Sequence, residues 1–203
     1  MHKHAVTDQP ILDIYARRWS PRAFGPDPVP EELLQVVFEA ARWAPSAFNE
    51  QPWRFIIARR EEGEAFERIL SCLTPANQVW ARQAPVLGLG LVRNTYSRNG
   101  KTNRHAWHDL GLASAQLIGQ AMALDLYAHL MAGIEAERIR ELYAVPGDYE
   151  PVTGIALGYL GDEDQLPDDL RKQEREPRHR KAVAEWLYSG GWGNPRYGAN
   201  DRG

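Results

Sequence analysis

Two short segments of this 203-residue chain carry residue types suited to holding a small ligand. The first is Arg17-Arg18-Trp19-Ser20-Pro21-Arg22, three guanidinium groups and a hydroxyl at a helix-to-loop transition. Guanidinium forks match phosphate oxygens, and Ser20 adds a neutral donor. The same residues would also serve as a solvated basic helix end that supports the helix dipole. The second is Ala44-Pro45-Ser46-Ala47-Phe48-Asn49-Glu50-Gln51-Pro52-Trp53, which sets small, amide-bearing and proline-stiffened residues between a helix and a strand. A planar heterocycle with alternating donors and acceptors suits such a loop, through Asn49, Gln51 and backbone amides. A rigid turn whose amides only satisfy backbone groups would read the same way.

Other chemistry is weaker. His105-x-x-His108-Asp109 places two imidazoles on adjacent turns of a helix, but no third ligand is evident, so no metal site is expected. There is no Gly-x-x-x-x-Gly-Lys-Ser/Thr loop and no Gly-x-Ser-x-Gly elbow. Gly88-x-Gly90 lacks the third glycine of a dinucleotide fingerprint. The one cysteine, Cys72, excludes an internal disulfide and a cysteine-rich zinc site, and reads as a small buried apolar residue.

The elements that must position the two segments follow from periodicity. Asp8 to Arg18 reads as a short helix with Ile11, Leu12, Ile14 and Tyr15 on one face, ended by Trp19-Ser20-Pro21. A helix starts at Pro30, with Glu31 and Glu32 in its first turn, and stops before Pro45. Trp53 to Ala58 is a strand candidate, Glu62 to Leu73 a helix, and Pro85 to Val92 a buried strand whose two glycines permit close backbone approach. Residues 93 to 104 are polar, basic and helix-poor, a lid candidate. The small-sided helix from His105 to Asp125 carries Gly111, Ala113, Ala115, Gly119, Ala121 and Ala123, which suits close contact with another helix or a flat ligand. A short strand from Leu126 to Met131, a helix from Glu135 to Tyr143 and a strand from Val152 to Tyr159 follow. An acidic linker over 162–169 then precedes a basic stretch from Arg171 to Lys181, and the last ten residues read as frayed. Helices and strands interleave without βαβ regularity, so the expectation is one α+β domain over 1–203, with 162–203 as linker and C-terminal arm.

Composition bounds the rest. A formal net charge of -3 gives no electrostatic case for nucleic acid or an anionic membrane. No uncharged stretch reaches the roughly 20 residues that span a bilayer, and His2-Lys3-His4 leads into Thr7-Asp8-Gln9-Pro10 rather than an apolar signal core. A soluble, cytoplasmic protein is expected.

Taken together, the two segments resemble a known family. RRWSPRAF at Arg17–Phe24, followed by EAARWAPSAFNEQPWRFI at Glu39–Ile56, resembles the N-terminal signature of the nitroreductase family of FMN-dependent oxidoreductases. The resemblance continues through Asn77–Leu91, Asp109–Ile134, Gly154–Asp162 and Arg180–Gly193, so it covers nearly the whole chain in the family's order.

The resemblance implies a central mixed or antiparallel sheet flanked by helices, in a homodimer whose C-terminal arms exchange and whose two FMN sites lie between subunits. Arg18, Trp19, Ser20 and Arg22 would hold the phosphate, ribityl chain and pyrimidine edge, with Trp19 acting through its backbone. Pro45, Ser46, Ala47, Asn49 and Gln51 would approach the isoalloxazine from the other subunit. Asn77 matches a position near the flavin pyrimidine. Met131, Ala132 and Gly133 match the turn beside N5, with Ala132 replacing a glycine or acidic residue. Arg178 and Arg180 lie where a C-terminal basic residue reaches the phosphate, Arg180 being favoured. The implied activity takes hydride from NAD(P)H and passes it to an electron-poor small molecule, of nitroaromatic, quinone or enone type, by a ping-pong route. No catalytic side chain or metal is required, because flavin N5 accepts the hydride. A dehalogenating or flavin-fragmenting member, and a flavin-binding module without turnover, are the alternatives.

Overall fold

Four antiparallel strands form the centre of the molecule, in the order β1-β2-β4-β3: β1 Trp53–Arg59, β2 Val86–Arg93, β3 Tyr127–Met131 and β4 Tyr149–Gly158. The computed structural model describes residues 3–197. The fraying expected of the tail falls, for 198–203, outside the described residues. Helices cover both faces of the sheet, which is antiparallel throughout rather than mixed.

Period-two alternation along β2 explains the layering. Leu87, Leu89 and Leu91 join one buried cluster with Phe66, Ile69 and Leu70 of α3 (Glu64–Leu70) and Trp80 of α4 (Pro75–Ala81). Val86 and Val92 join the other cluster. There they meet Leu34 and Val37 of α2 (Glu31–Arg42) and Leu110, Ala113 and Leu117 of α5 (Ala106–Ala123). Gly88 and Gly90 share the α5 side. A Cβ on Gly90 would sit 2.9 Å from Thr153 Cγ2, so glycine makes room for that side chain of β4, while Leu110 of α5 would be at ordinary contact distance, 3.6 Å. Gly111 and Gly119, by contrast, have open space where a Cβ would be.

Several boundaries differ from the sequence expectation for local reasons. The first helix is only Asp13–Arg17 (α1): Pro10 disfavours helical geometry in Gln9, and Leu12 at φ -60°, ψ 139° stands outside the helix. Gly63, at φ +53°, splits off a short turn at Arg60–Glu62 before α3. Two helices went unread. Pro75 opens α4 at a first-turn position, where a missing N–H costs nothing. The stretch read as acidic linker and basic run holds α7 (Asp168–Arg175), with Asp168 and Asp169 in the first turn and Lys172 and Arg175 in the last. That asymmetry complements the helix dipole. The other helix, α6, spans Ala136–Tyr143.

Candidate functional site

The arginines of the first segment do different work. Arg17 is spent structurally: its Nε donates to Asp13 at 2.6 Å and its Nη1 to Asp125, just past α5, at 2.8 Å. Arg18 has no carboxylate partner among the described residues. Its Nη1 lies 3.4 Å from Ser20 Oγ, and its nearest charged company is Arg178 and Arg180 of the C-terminal arm. Burial, then these two like charges, push its pKa down. Arg178 is held there by donating to the carbonyls of Lys3 and Ala16, both at 2.8 Å. The three arginines line a cavity of about 840 Å³ with Ile11, Tyr15 and Trp186. Arg18 and Arg178 are half-buried and Arg180 is exposed, and Asp8 is the one carboxylate in the cavity's lining, so the lining carries an excess of positive charge that an anion would relieve.

Arg22 is fixed from an unexpected quarter. Glu174 of α7 is buried, and its Oε1 accepts from the backbone N–H of Arg22 at 2.8 Å and of Ala23 at 3.0 Å. Nothing in the sequence links positions 152 residues apart, so Glu174 carried no readable signal. Trp19 is buried edge-on to Tyr127, with the Lys3 ammonium 4.7 Å from its ring centroid. Its Nε1 is buried without a hydrogen-bond partner among the described residues.

The other side of this segment docks on β3. His129 Nδ1 donates to the Pro21 carbonyl at 2.8 Å, and its ring lies 4.6 Å from that of Trp80. A carbonyl can only accept, so the Nδ1–H tautomer is required. Burial lowers the His129 pKa to about 4, which keeps the ring neutral. Two residues on, β3 ends in the turn Met131-Ala132-Gly133. Asn77 of α4 donates to the Gly133 carbonyl at 3.0 Å, and Thr153 Oγ1 to that of Met131 at 3.0 Å. A Cβ on Gly133 would fall 2.5 Å from Asn77 Nδ2 and 2.6 Å from Thr74 Oγ1. Pro21 thus ties the Arg18–Arg22 segment to β3, Asn77 ties α4 to the turn that follows β3, and Arg178 and Arg180 approach Arg18 from the arm.

The second segment lies elsewhere. Phe48, Asn49 and Gln51 have φ of 55°, 55° and 49°, a left-handed backbone that side chains rarely adopt. Internal bonds hold it: Gln51 N donates to Ser46 Oγ at 3.0 Å, and Gln51 Nε2 to Asn49 Oδ1 at 3.1 Å. Ala47 N donates to Oδ2 of the buried Asp109 at 3.1 Å, tying the loop to the start of α5. Such backbone costs on the order of 1–3 kcal/mol per residue, offset here by these bonds. The polar stretch at 93–104 is a hairpin with a Thr95–Thr102 bridge, and Ser97 N donates to Glu50 Oε1. The hairpin therefore sits on the loop.

Both imidazoles of the helix pair are accounted for. The rings of His105 and His108 lie edge-on at 6.4 Å, and His108 Nδ1 is 3.2 Å from Asp109. Among the described residues no group of three or more His, Cys, Asp or Glu gathers to hold a metal. Cys72 is buried, and burial raises its pKa, which keeps the thiol unreactive.

Fold and site define an α+β protein with an arginine-lined cavity and a rigid amide-rich loop set apart from it. The chain belongs to the nitroreductase family, which it matches over residues 15–159, and is an oxidoreductase of that family. A solved structure described as an oxidoreductase containing FMN superposes with a TM-score of 0.87 at 35% identity, covering 93% of this chain and 96% of the other. An NADH dehydrogenase of Thermus thermophilus is 29% identical, over 76% of this chain and 90% of its own. A Methanothermobacter thermautotrophicus protein provisionally named NADH dehydrogenase/NAD(P)H nitroreductase is 30% identical, over 76% and 79%. Among the described residues no helix is long and apolar enough to cross a membrane.

Proposed function

We propose that this protein is an FMN-dependent oxidoreductase that takes hydride from NAD(P)H and delivers it to an electron-poor acceptor by a ping-pong route, as a homodimer. The observation that carries the reading is Arg18, half-buried beside Arg178 and Arg180 with no carboxylate bonded to it among the described residues, in a cavity where Asp8 is the one acid against three arginines and Lys181. A phosphate monoester dianion fits that need, whereas a neutral ligand would leave the repulsion in place. FMN, once bound, supplies the chemistry by accepting and releasing hydride. The protein's own task is to hold and shield it.

In this reading Arg18, Ser20, Arg178 and Arg180 grip the phosphate. Glu174 fixes the backbone of Arg22, and Asn77 with Met131–Gly133 flanks the ring edge. Pro45, Ser46, Ala47, Asn49 and Gln51 serve the ring from a second subunit. The reason is distance. Arg17 is anchored beyond the end of α5 at Asp125, and Ala47 at Asp109 near its start. At about 1.5 Å per residue, the helix from Asp109 to Ala123 alone spans about 21 Å. Two copies packed through the open Gly111 and Gly119 side of α5 would bring one subunit's loop toward the other's arginines, and the C-terminal arms would then cross between subunits. The unpaired, buried Cys72 suits the reducing cytoplasm.

The test is an absorbance spectrum of the purified protein before and after anaerobic NADPH, then NADH. Flavin bands that bleach support the reading and identify the donor. Bands that persist with both donors leave a flavin-binding protein with another electron source, and a colourless protein that takes up no added FMN refutes the assignment.

A further inference from the structure

The hairpin seated on the 45–51 loop carries Arg98, Lys101 and Arg104, and none of the three forms an ion pair among the described residues. Arg98 is placed with care. Its guanidinium carbon lies 4.2 Å from the ring centroid of Phe48 and 5.5 Å from that of Tyr96. The two rings meet edge-on at 5.7 Å. Phe48 is 70% exposed, although its backbone is held in the left-handed region. The one carboxylate at this contact, Glu50, accepts the Ser97 N–H. A guanidinium stacked on a ring loses hydration from one face while its in-plane N–H donors stay free, and those donors match a carboxylate in a bidentate fork.

We propose that Phe48, Tyr96 and Arg98 form a specificity platform selecting acceptors that are planar and anionic, with a carboxylate or similar group paired to the Arg98 fork. The platform flanks Ala47 and Asn49, so the inference rests on the flavin reading of that loop. A hairpin needed only as a staple would be served as well by an uncharged residue at 98. The charge, left without a partner beside two rings, points to a ligand. A pyridine nucleotide is also aromatic and anionic, and the platform is assigned to the acceptor rather than to this donor.

The experiment compares wild type, Arg98→Gln and Arg98→Lys, each loaded with FMN. Steady-state kcat/KM is measured for 4-nitrobenzoate against its neutral counterpart 4-nitrobenzamide. The anion-to-amide ratio should fall about two- to fivefold in Arg98→Gln, recover in part in Arg98→Lys, and fall in wild type at high salt. Dissociation constants for the unreactive pair benzoate and benzamide, read from the shift of the flavin absorbance band, should move in parallel. Rapid mixing of each half-reaction should confine the loss to the acceptor step. Ratios that are equal in wild type and Arg98→Gln, in both turnover and binding, overturn the platform. A loss confined to the NAD(P)H step overturns its assignment to the acceptor. A protein that reduces neither nitro compound shows only that nitroarenes are not its acceptors, and the benzoate comparison then decides the platform by itself.

Discussion

Replacing Arg18 by glutamine should move two quantities in opposite directions. Without a ligand, Arg18 is a charge held partly out of water beside Arg178 and Arg180, and its lowered pKa records that cost. The apoprotein of Arg18→Gln should therefore melt at the same temperature as wild type or higher. With FMN the sign reverses. A charge-assisted hydrogen bond to a phosphate is worth about 1.5–3 kcal/mol, and each 1.4 kcal/mol is about tenfold, so FMN should bind roughly 10- to 150-fold more weakly. The assay is fluorescence titration of FMN into apoprotein, alongside thermal melting with and without FMN. The stabilisation that FMN confers should shrink in step with its affinity. An apoprotein that melts lower while binding FMN as tightly as wild type would show Arg18 to be a structural residue and refute the argument.

Three further outcomes follow from the same contacts. Asp109→Ala removes the acceptor of the Ala47 N–H, which should cost about 1–3 kcal/mol and speed amide hydrogen exchange across 46–51 ahead of the rest of the chain. Gly133→Ala forces a Cβ toward Asn77 and Thr74, and should cost about 1–3 kcal/mol, seen as a fall in melting temperature. His129 has a folded pKa of about 4 against 6.5 when unfolded, so the unfolded chain binds the extra proton between those values. Stability should then be full above about pH 6.5 and drop by about 3 kcal/mol as pH falls to about 4, and His129→Gln should flatten that slope in melting curves.

The outcome of these tests bears on how the site was assembled from the chain. The segments at 17–22 and 44–53 were legible as binding candidates because residue type limits what they offer: forks for an oxyanion, amides for a heterocycle. The helix from Glu31 and the buried strand over 86–93 were legible because apolar spacing repeats with the period of each element. The helix α7 was missed because its acidic start and basic end look like two unrelated charge runs until one helix axis joins them.

The sequence by itself determined which segments offer binding chemistry and most of the elements that carry them, since propensity, periodicity and side-chain chemistry are local properties. Residue type could not separate Arg17 from Arg18, a choice made only by the family resemblance, whereas the fold shows one neutralised by Asp13 and Asp125 and the other left among like charges. Nor could it nominate Glu174, Asp109 or the stack of Arg98 on Phe48. Those roles depend on burial and on partners far along the chain, and both come into being only when the sheet, its helices and the C-terminal arm pack together.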